Sequence, residues 1–475
     1  MNGRFQRTQV GGALSATALA VLFQLASDPA FAAAGSPTPA SPVGWRTDGT
    51  GRYPDAQPPL TWSATNGIVW KTPMPDRSNA SPAVGKDRLF VCAEPTTLLC
   101  VALADGAILW QRTNGYEDVL APAEIASAKE AQARIPALQE GLKDAQKASA
   151  DAAAKLKQAP ADGSLKRQAE DLKAKVAAAQ DALAEAKKFT PPPSHGMTGL
   201  ASPTPVFDGE RVYAVFGTGA AVCYDLNGKR LWARIVGRPS HDWGHSASPL
   251  LAGGKLVIHI GGEVHALDAK SGDPLWTGKA GARFGSPLHL RAGAVDVVMT
   301  AGGDCFRLSD GKALASGLGV GLAYCSPIVQ GDVVYFMDSY TCKAARLEEP
   351  EGDAMATEKI WQTPQEKPVR HASPVLHEGL LYTIAERSLF AVFDAATGER
   401  VYAETLPVKG DVFASIAQAG KHIYVSAGAT TLVVQPGREF KMLAENKLED
   451  FRASPVFVGR RAYIRGQKNL YCIGE

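Results

Sequence analysis

Neither sign of charge dominates this chain: Lys and Arg number 50 and Asp and Glu 48 in 475 residues. That balance leaves no electrostatic footprint for nucleic acid or an anionic membrane. Beyond the N-terminus no apolar run is long enough to span a bilayer. Gly-rich phosphate loops, a serine-nucleophile elbow and a zinc-type cysteine pair are all missing, so no catalytic residue and no metal ligand set can be named. What the chain does have is punctuation, with 47 Gly and 31 Pro pointing to many turns.

The N-terminus reads as an export signal. Arg4 and Arg7 open it, an apolar stretch runs from about Gly11 to Leu25, and Ala30-Phe31-Ala32 is a small-x-small cleavage site. Residues 1–32 are therefore expected to be a signal peptide, leaving a soluble protein in a periplasm or outside the cell. Residues 33–66, rich in Ala, Ser, Pro and Gly at their start, read as a linker or surface strap.

The rest of the chain repeats. Ser-Pro followed by apolar residues and a Gly-containing turn recurs at Ser81, Ser202, Ser248, Ser286, Ser326, Ser373 and Ser454, with Ser415-Ile416 a degenerate eighth copy. From Ser202 onward the gaps are 46, 38, 40, 47, 42 and 39 residues, the period of a four-stranded propeller blade. A Gly followed four residues later by an aromatic recurs as Gly106 to Trp110, Gly228 to Trp232, Gly272 to Trp276 and Gly398 to Tyr402. A ring at a fixed place on each outer strand suits packing between blades. The last copy stops at a third strand, Leu470 to Ile473, while Ile68-Val69-Trp70-Lys71 looks like an orphan fourth. Pairing the two closes the ring and removes its open edges. The fold class is thus all-β, an eight-bladed propeller over residues 67–475.

The turns Asp268-Ala269-Lys270-Ser271-Gly272 with Trp276, and Asp394-Ala395-Ala396-Thr397-Gly398 with Tyr402, resemble the repeat of pyrroloquinoline-quinone (PQQ)-type propellers. That superfamily includes quinoprotein dehydrogenases and the non-enzymatic propeller of the outer-membrane barrel assembly machine. The resemblance implies the fold more strongly than any activity. The dehydrogenases carry adjacent cysteines beneath the quinone, and this sequence has no Cys-Cys pair. Their calcium ligands and catalytic aspartate match no position here. A binding scaffold is therefore expected, with no cofactor, and a divergent dehydrogenase using PQQ and calcium is the alternative.

Residues 117–192 interrupt the repeat with Ala, Lys, Glu, Gln and Leu. Ile135, Leu138, Leu142, Ala145, Ser149, Ala152 and Leu156 form one heptad series; Leu165, Ala169, Leu172, Val176, Ala179, Leu183 and Ala186 form a second. Folded back at Pro160 to Gly163, the two face each other, large residues mostly against small. This predicts an antiparallel helical coiled-coil hairpin with arms of roughly 40 Å, Ser164 capping the second helix and Pro136 kinking the first. Such an arm is ornamental, a lid, or a contact for a protein or polymer partner.

The insertion occupies the connection from an outer strand to the next inner one, so it should rise beside the mouth of the central channel. Polar residues cluster before the Ser-Pro phrases: Asn79, His245, Arg283, Tyr324, Arg370, His371 and Arg452, with His241 and Asp242 added in the third blade. They are ordinary solvated loop residues or a recognition surface for an anionic or acidic group. His241 and His245 are four apart but in a Gly-containing loop, so no metal site is expected. Most cysteines fall on third strands of different blades and look like small buried apolar residues. Cys92 and Cys100 are the exception: reflection about Thr96 puts them opposite one another, where a disulfide can form in an oxidising compartment. The propeller is expected to be monomeric.

Overall fold

In the computed structural model, residues 42–474 are described apart from 322–323, 339 and 365–368. The described residues belong to one compact unit. The expected signal peptide lies outside the described residues.

Strands in this unit form eight antiparallel sheets, each a blade of four strands running from the channel outward. The third blade shows the local logic. Lys255–Ile260 and Glu263–Asp268 pair with Ile260 opposite Glu263. The two residues between them, Gly261 and Gly262, both have positive φ, 65° and 91°, the geometry of a two-residue type I′ hairpin. Leu256, Val257 and Ile258 are buried in succession because a blade is covered on both faces by its neighbours.

Tryptophans stitch those neighbours together. The Trp70, Trp110, Trp232, Trp276 and Trp361 indoles each donate Nε1–H to a carbonyl of the following blade, at 2.9–3.0 Å. Each ring also lies on that blade's turn glycine. At Gly106, where φ is +76°, a Cβ would come within 2.5 Å of the Trp70 ring. Recurrence of the glycine thus reflects a close approach as well as a turn.

The eighth blade joins the two ends of the fold. Ile68–Pro73 supplies its outer strand and pairs antiparallel with Asn469–Ile473, Trp70 opposite Cys472 and Lys71 opposite Tyr471. The strap differs from expectation. It does not lie on the outer surface but enters the channel. Val43 bridges Phe207 of the second blade, and Arg52–Tyr53 adds as a parallel strand to the free inner edge of Ala417–Ala419 in the seventh. Arg46, between these points, is buried and donates to the Pro374 and Ile416 carbonyls at 2.9 and 2.6 Å.

Residues 116–186 are helical in four pieces. The two long helices, Ile135–Gln158 and Gly163–Ala186, pack against each other. Pro136 sits in the first turn of the former, and the chain breaks at Arg134 rather than kinking within an arm. The cap of the latter is Asp162, whose carboxylate accepts from the Ser164 and Leu165 amides at 2.8 and 3.1 Å, so Ser164 lies inside the helix.

The disulfide expectation is corrected. The hairpin is centred on Pro95, not Thr96, so Cys100 faces Phe90 and Cys92 faces Leu98. A one-residue shift of centre moves the pairing by two and leaves the thiols diagonal. Both are free and buried in one apolar cluster, and burial pushes Cys92 up to about 12 and Cys100 to about 11. Alkylation of the denatured protein without reductant should modify both; a mass increase that appears only after reduction contradicts this register.

Candidate functional site

One end of the channel is organised by a closed circuit. The backbone N–H of Ser81 donates to the Thr204 hydroxyl, Thr204 to Ser248, Ser248 to Ser286, Ser286 to Ser326, Ser326 to Ser373, Ser373 to Ser415, Ser415 to Ser454, and Ser454 back to Ser81. The eight distances are 2.8–3.0 Å, and each blade contributes one link. The second blade uses Thr204-Pro205, two residues beyond the Ser202-Pro203 that the repeat suggests. The physical reason for Ser or Thr at this place is now visible: the hydroxyl satisfies an amide that no ladder partner reaches.

Extended backbone alternates its side chains, and that alternation decides which residues reach the mouth. Two residues before each circuit member stand Asn79, Ser202, Ser246, Phe284, Tyr324, His371, Phe413 and Arg452, and all eight line a cavity of about 740 Å³. Three residues before, His245 and Arg370 turn between blades and are only 4% and 2% exposed. Of the residues expected at the mouth, Asn79, His241, Tyr324, His371 and Arg452 line the cavity; Asp242, His245, Arg283 and Arg370 do not. His245, Arg283 and Arg370 stand one residue before the lining position and so fall on the other face; Asp242 lies in the loop before it. Phe284 and Phe413 line the cavity as well; they are not polar, but their offset from Ser286 and Ser415 marks them.

The lining is two-sided. His241, Phe284, Tyr324, His371 and Phe413 form a continuous arc, with successive ring centroids 5.5, 5.6, 5.0 and 5.0 Å apart. The Arg452 guanidinium continues it, 5.5 Å from the centre of Phe413. Asn79 and the circuit hydroxyls make the polar side. Trp243 stands half-exposed at the rim, its ring tilted against His195 with centroids 4.1 Å apart. Trp45, from the strap inside the channel, also reaches the cavity.

Charge at the mouth is mostly matched internally. Arg452 pairs with Asp411 at 3.0 Å and His371 with Glu386 at 3.1 Å. Arg387 is exposed at the cavity and forms no ion pair among the described residues. It and Ser388 hold φ of 61° and 59°, left-handed conformations that cost non-glycine residues energy. The return segment of the insertion roofs one side: Asn79 Nδ2–H and Arg452 Nη1–H both donate to the Met197 carbonyl, at 2.7 and 3.1 Å. Near the base, Arg238 donates to the Lys187 and Thr190 carbonyls at 2.9 and 2.7 Å, matching a cation to a helix C-terminus.

Behind His241 and Phe284 lies a side pocket of about 40 Å³. His245, His259 and Arg283 border it, and His245 Nε2, His259 Nδ1 and Arg283 Nε are buried without a hydrogen-bond partner among the described residues. Burial, aided by His259, takes the His245 imidazole down to about 3; burial takes His259 to about 4 against its bond to the Gly281 carbonyl. Both rings are therefore neutral in the folded protein near neutrality. The unfolded chain binds protons below about 6.5 and the folded one does not, so stability is full above that pH and is lost as pH falls toward 4. Between pH 8 and pH 5 the loss should be about 2 kcal/mol per histidine. Urea midpoints at the two pH values measure it, and equal midpoints contradict it.

With this geometry in hand, comparison with known proteins is informative. Residues 222–438 match the family model described as outer membrane protein assembly factor BamB. Over that stretch the propeller resembles the PQQ-like repeat family. No curated protein matches the sequence. Among solved structures, this PQQ-like propeller is similar to BamB from Moraxella catarrhalis, with a TM-score of 0.55 and 11% identity over 86% of this chain and 97% of that one. It is similar also to a europium-containing methanol dehydrogenase, with a TM-score of 0.52 and 12% identity over 92% and 98%. The computationally designed Ika8 protein scores 0.52 at 10% identity over 86% and 100%. Identities this low show the fold alone, and the PQQ-like fold serves both an assembly factor and an enzyme. No described helix is long and apolar enough to cross a membrane.

Proposed function

We propose that the protein is an exported, non-catalytic binding propeller that recognises a protein or polymer partner through its channel mouth. The inserted helices, read as an antiparallel coiled-coil hairpin, provide a second contact. The observation that carries this reading is the unbroken aromatic arc on one wall of a cavity of about 740 Å³. Accessible rings in mutual contact, two pairs stacked and two edge-to-face, are rigid contact area available at small entropic cost. For the hairpin, the support is that every residue of the two heptad series is shielded, whereas nearly all others on these helices are exposed.

A dehydrogenase using PQQ and calcium is the competing reading, and the donor set fits it poorly. A tricarboxylated quinone calls for several uncommitted cations, and Arg387 is the cavity's one unpaired cation among the described residues. Calcium requires six to eight oxygen ligands with carboxylates among them; Glu386 and Asp411 are already committed to His371 and Arg452. Affinity capture from the extracytoplasmic fraction tests the proposal, using wild type, the double variant Tyr324→Ala/Phe413→Ala and a deletion of residues 121–188. The bound material should be lost with the double variant and reduced by the deletion. Identical material on all three contradicts the proposal, as does saturable binding of PQQ and calcium with dye-linked oxidation of an alcohol or sugar.

A further inference from the structure

The mouth offers three chemistries at once, and together they narrow what can sit there. One wall is aromatic. The floor is the hydroxyl circuit: each oxygen already accepts a backbone N–H, and none of the eight donates its own proton to a described residue. The side pocket is lined in part by His245, His259 and Arg283; His245 Nε2, His259 Nδ1 and Arg283 Nε are buried without a partner among the described residues. His259 Nε2 lies 3.0 Å from the Gly281 carbonyl, so that nitrogen carries the proton and the unpartnered Nδ1 of the neutral ring is an acceptor. These buried nitrogens make the pocket's surroundings polar, which suits a hydroxyl group better than an apolar one.

Other ligand classes leave this equipment unused. An acidic peptide meets one unpaired cation, Arg387, and a basic peptide meets no unpaired carboxylate in the lining. A wholly apolar segment would strip water from the hydroxyl floor and replace it with nothing. A pyranose has a flat C–H face for the arc and equatorial hydroxyls for the floor and side pocket, and carries no charge. The cavity volume lies within the usual range for ligand sites, roughly 300–1,000 Å³, with room for more than one sugar ring.

We infer that the mouth binds a neutral glycan strand, one sugar ring stacked on His371 and Phe413 beside Tyr324, with its hydroxyls turned to the circuit. The inference rests on the mouth being a binding site and names its ligand class. Calorimetric titration with hexamers of β-1,4-linked glucose, α-1,4-linked glucose and β-1,4-linked N-acetylglucosamine tests it. At least one should bind, with Phe413→Ala weakening it about tenfold while the melting transition stays cooperative. Tyr324→Ala provides the second reading if Phe413→Ala fails to fold. Silence from all three hexamers at millimolar concentration overturns the glycan, as does binding that neither variant alters. If the hexamers are silent but affinity capture still depends on Tyr324 and Phe413, the partner is a protein and only this inference falls.

Discussion

Trp70→Ala should destabilise the protein by about 3–5 kcal/mol, the cost of emptying a large buried aromatic site. Trp70 belongs to the strand that joins the two ends of the propeller, and its ring spans from that strand to the first blade. Its indole N–H bonds the Leu103 carbonyl at 3.0 Å, and its face covers Gly106. Truncation removes contacts on both sides of the seam at once. Deleting residues 42–73 should do more, since Asn469–Ile473 then becomes an unpaired edge strand, a template for aggregation. Urea unfolding of the point variant checks the claim. A loss below about 1 kcal/mol would show that the ring does not depend on this closure.

Arg46 gives the second large effect, with opposite outcomes for two substitutions. Its guanidinium is buried in the channel with no carboxylate bonded to it among the described residues, and burial lowers it to about 10. Nη2 serves two carbonyls while Nη1 has no partner. Gly51 is glycine for its sake: φ there is +73°, and a Cβ would overlap the guanidinium. Arg46→Ala orphans the Pro374 and Ile416 carbonyls and leaves a hole, with an expected cost of about 3–5 kcal/mol. Arg46→Met fills the volume and removes an expensive desolvated charge, so its cost should stay under about 2 kcal/mol. Chemical denaturation of both variants decides. Equal losses would mean that what both variants lack, the charge and its bonds to the two carbonyls, rather than volume, holds the strap in place.

Most of the blade architecture was readable because it is local and repeated. Turn glycines, strand-length apolar runs and the recurring tryptophan follow from short-range chemistry, and the orphan strands at Ile68 and Leu470 had nowhere else to pair. The strap was not readable: its Ala, Ser, Pro and Gly composition is that of a linker, and nothing local signals that Arg46 crosses beneath a hydroxyl circuit. Blade two misled for a similar reason. Ser202 and Thr204 both precede proline, and only the hydrogen bonds to Ser81 and Ser248 show that Thr204 is the circuit member. At the mouth, the polar residues were found but sorted onto the wrong faces, because side-chain alternation was not applied to the approach segment. Applied there, it separates His245, Arg283 and Arg370 from Tyr324, His371 and Arg452, and it brings in Phe284 and Phe413.

The direct test of the mouth as the recognition surface is site-specific photocrosslinking in the producing cell. A benzophenone amino acid replaces Tyr324 in one strain, Phe413 in a second, and in a third Val458, an exposed apolar residue absent from the mouth lining. The account predicts a common crosslinked product at Tyr324 and Phe413 that is absent at Val458. A product at Val458 with none at the two mouth positions would contradict it.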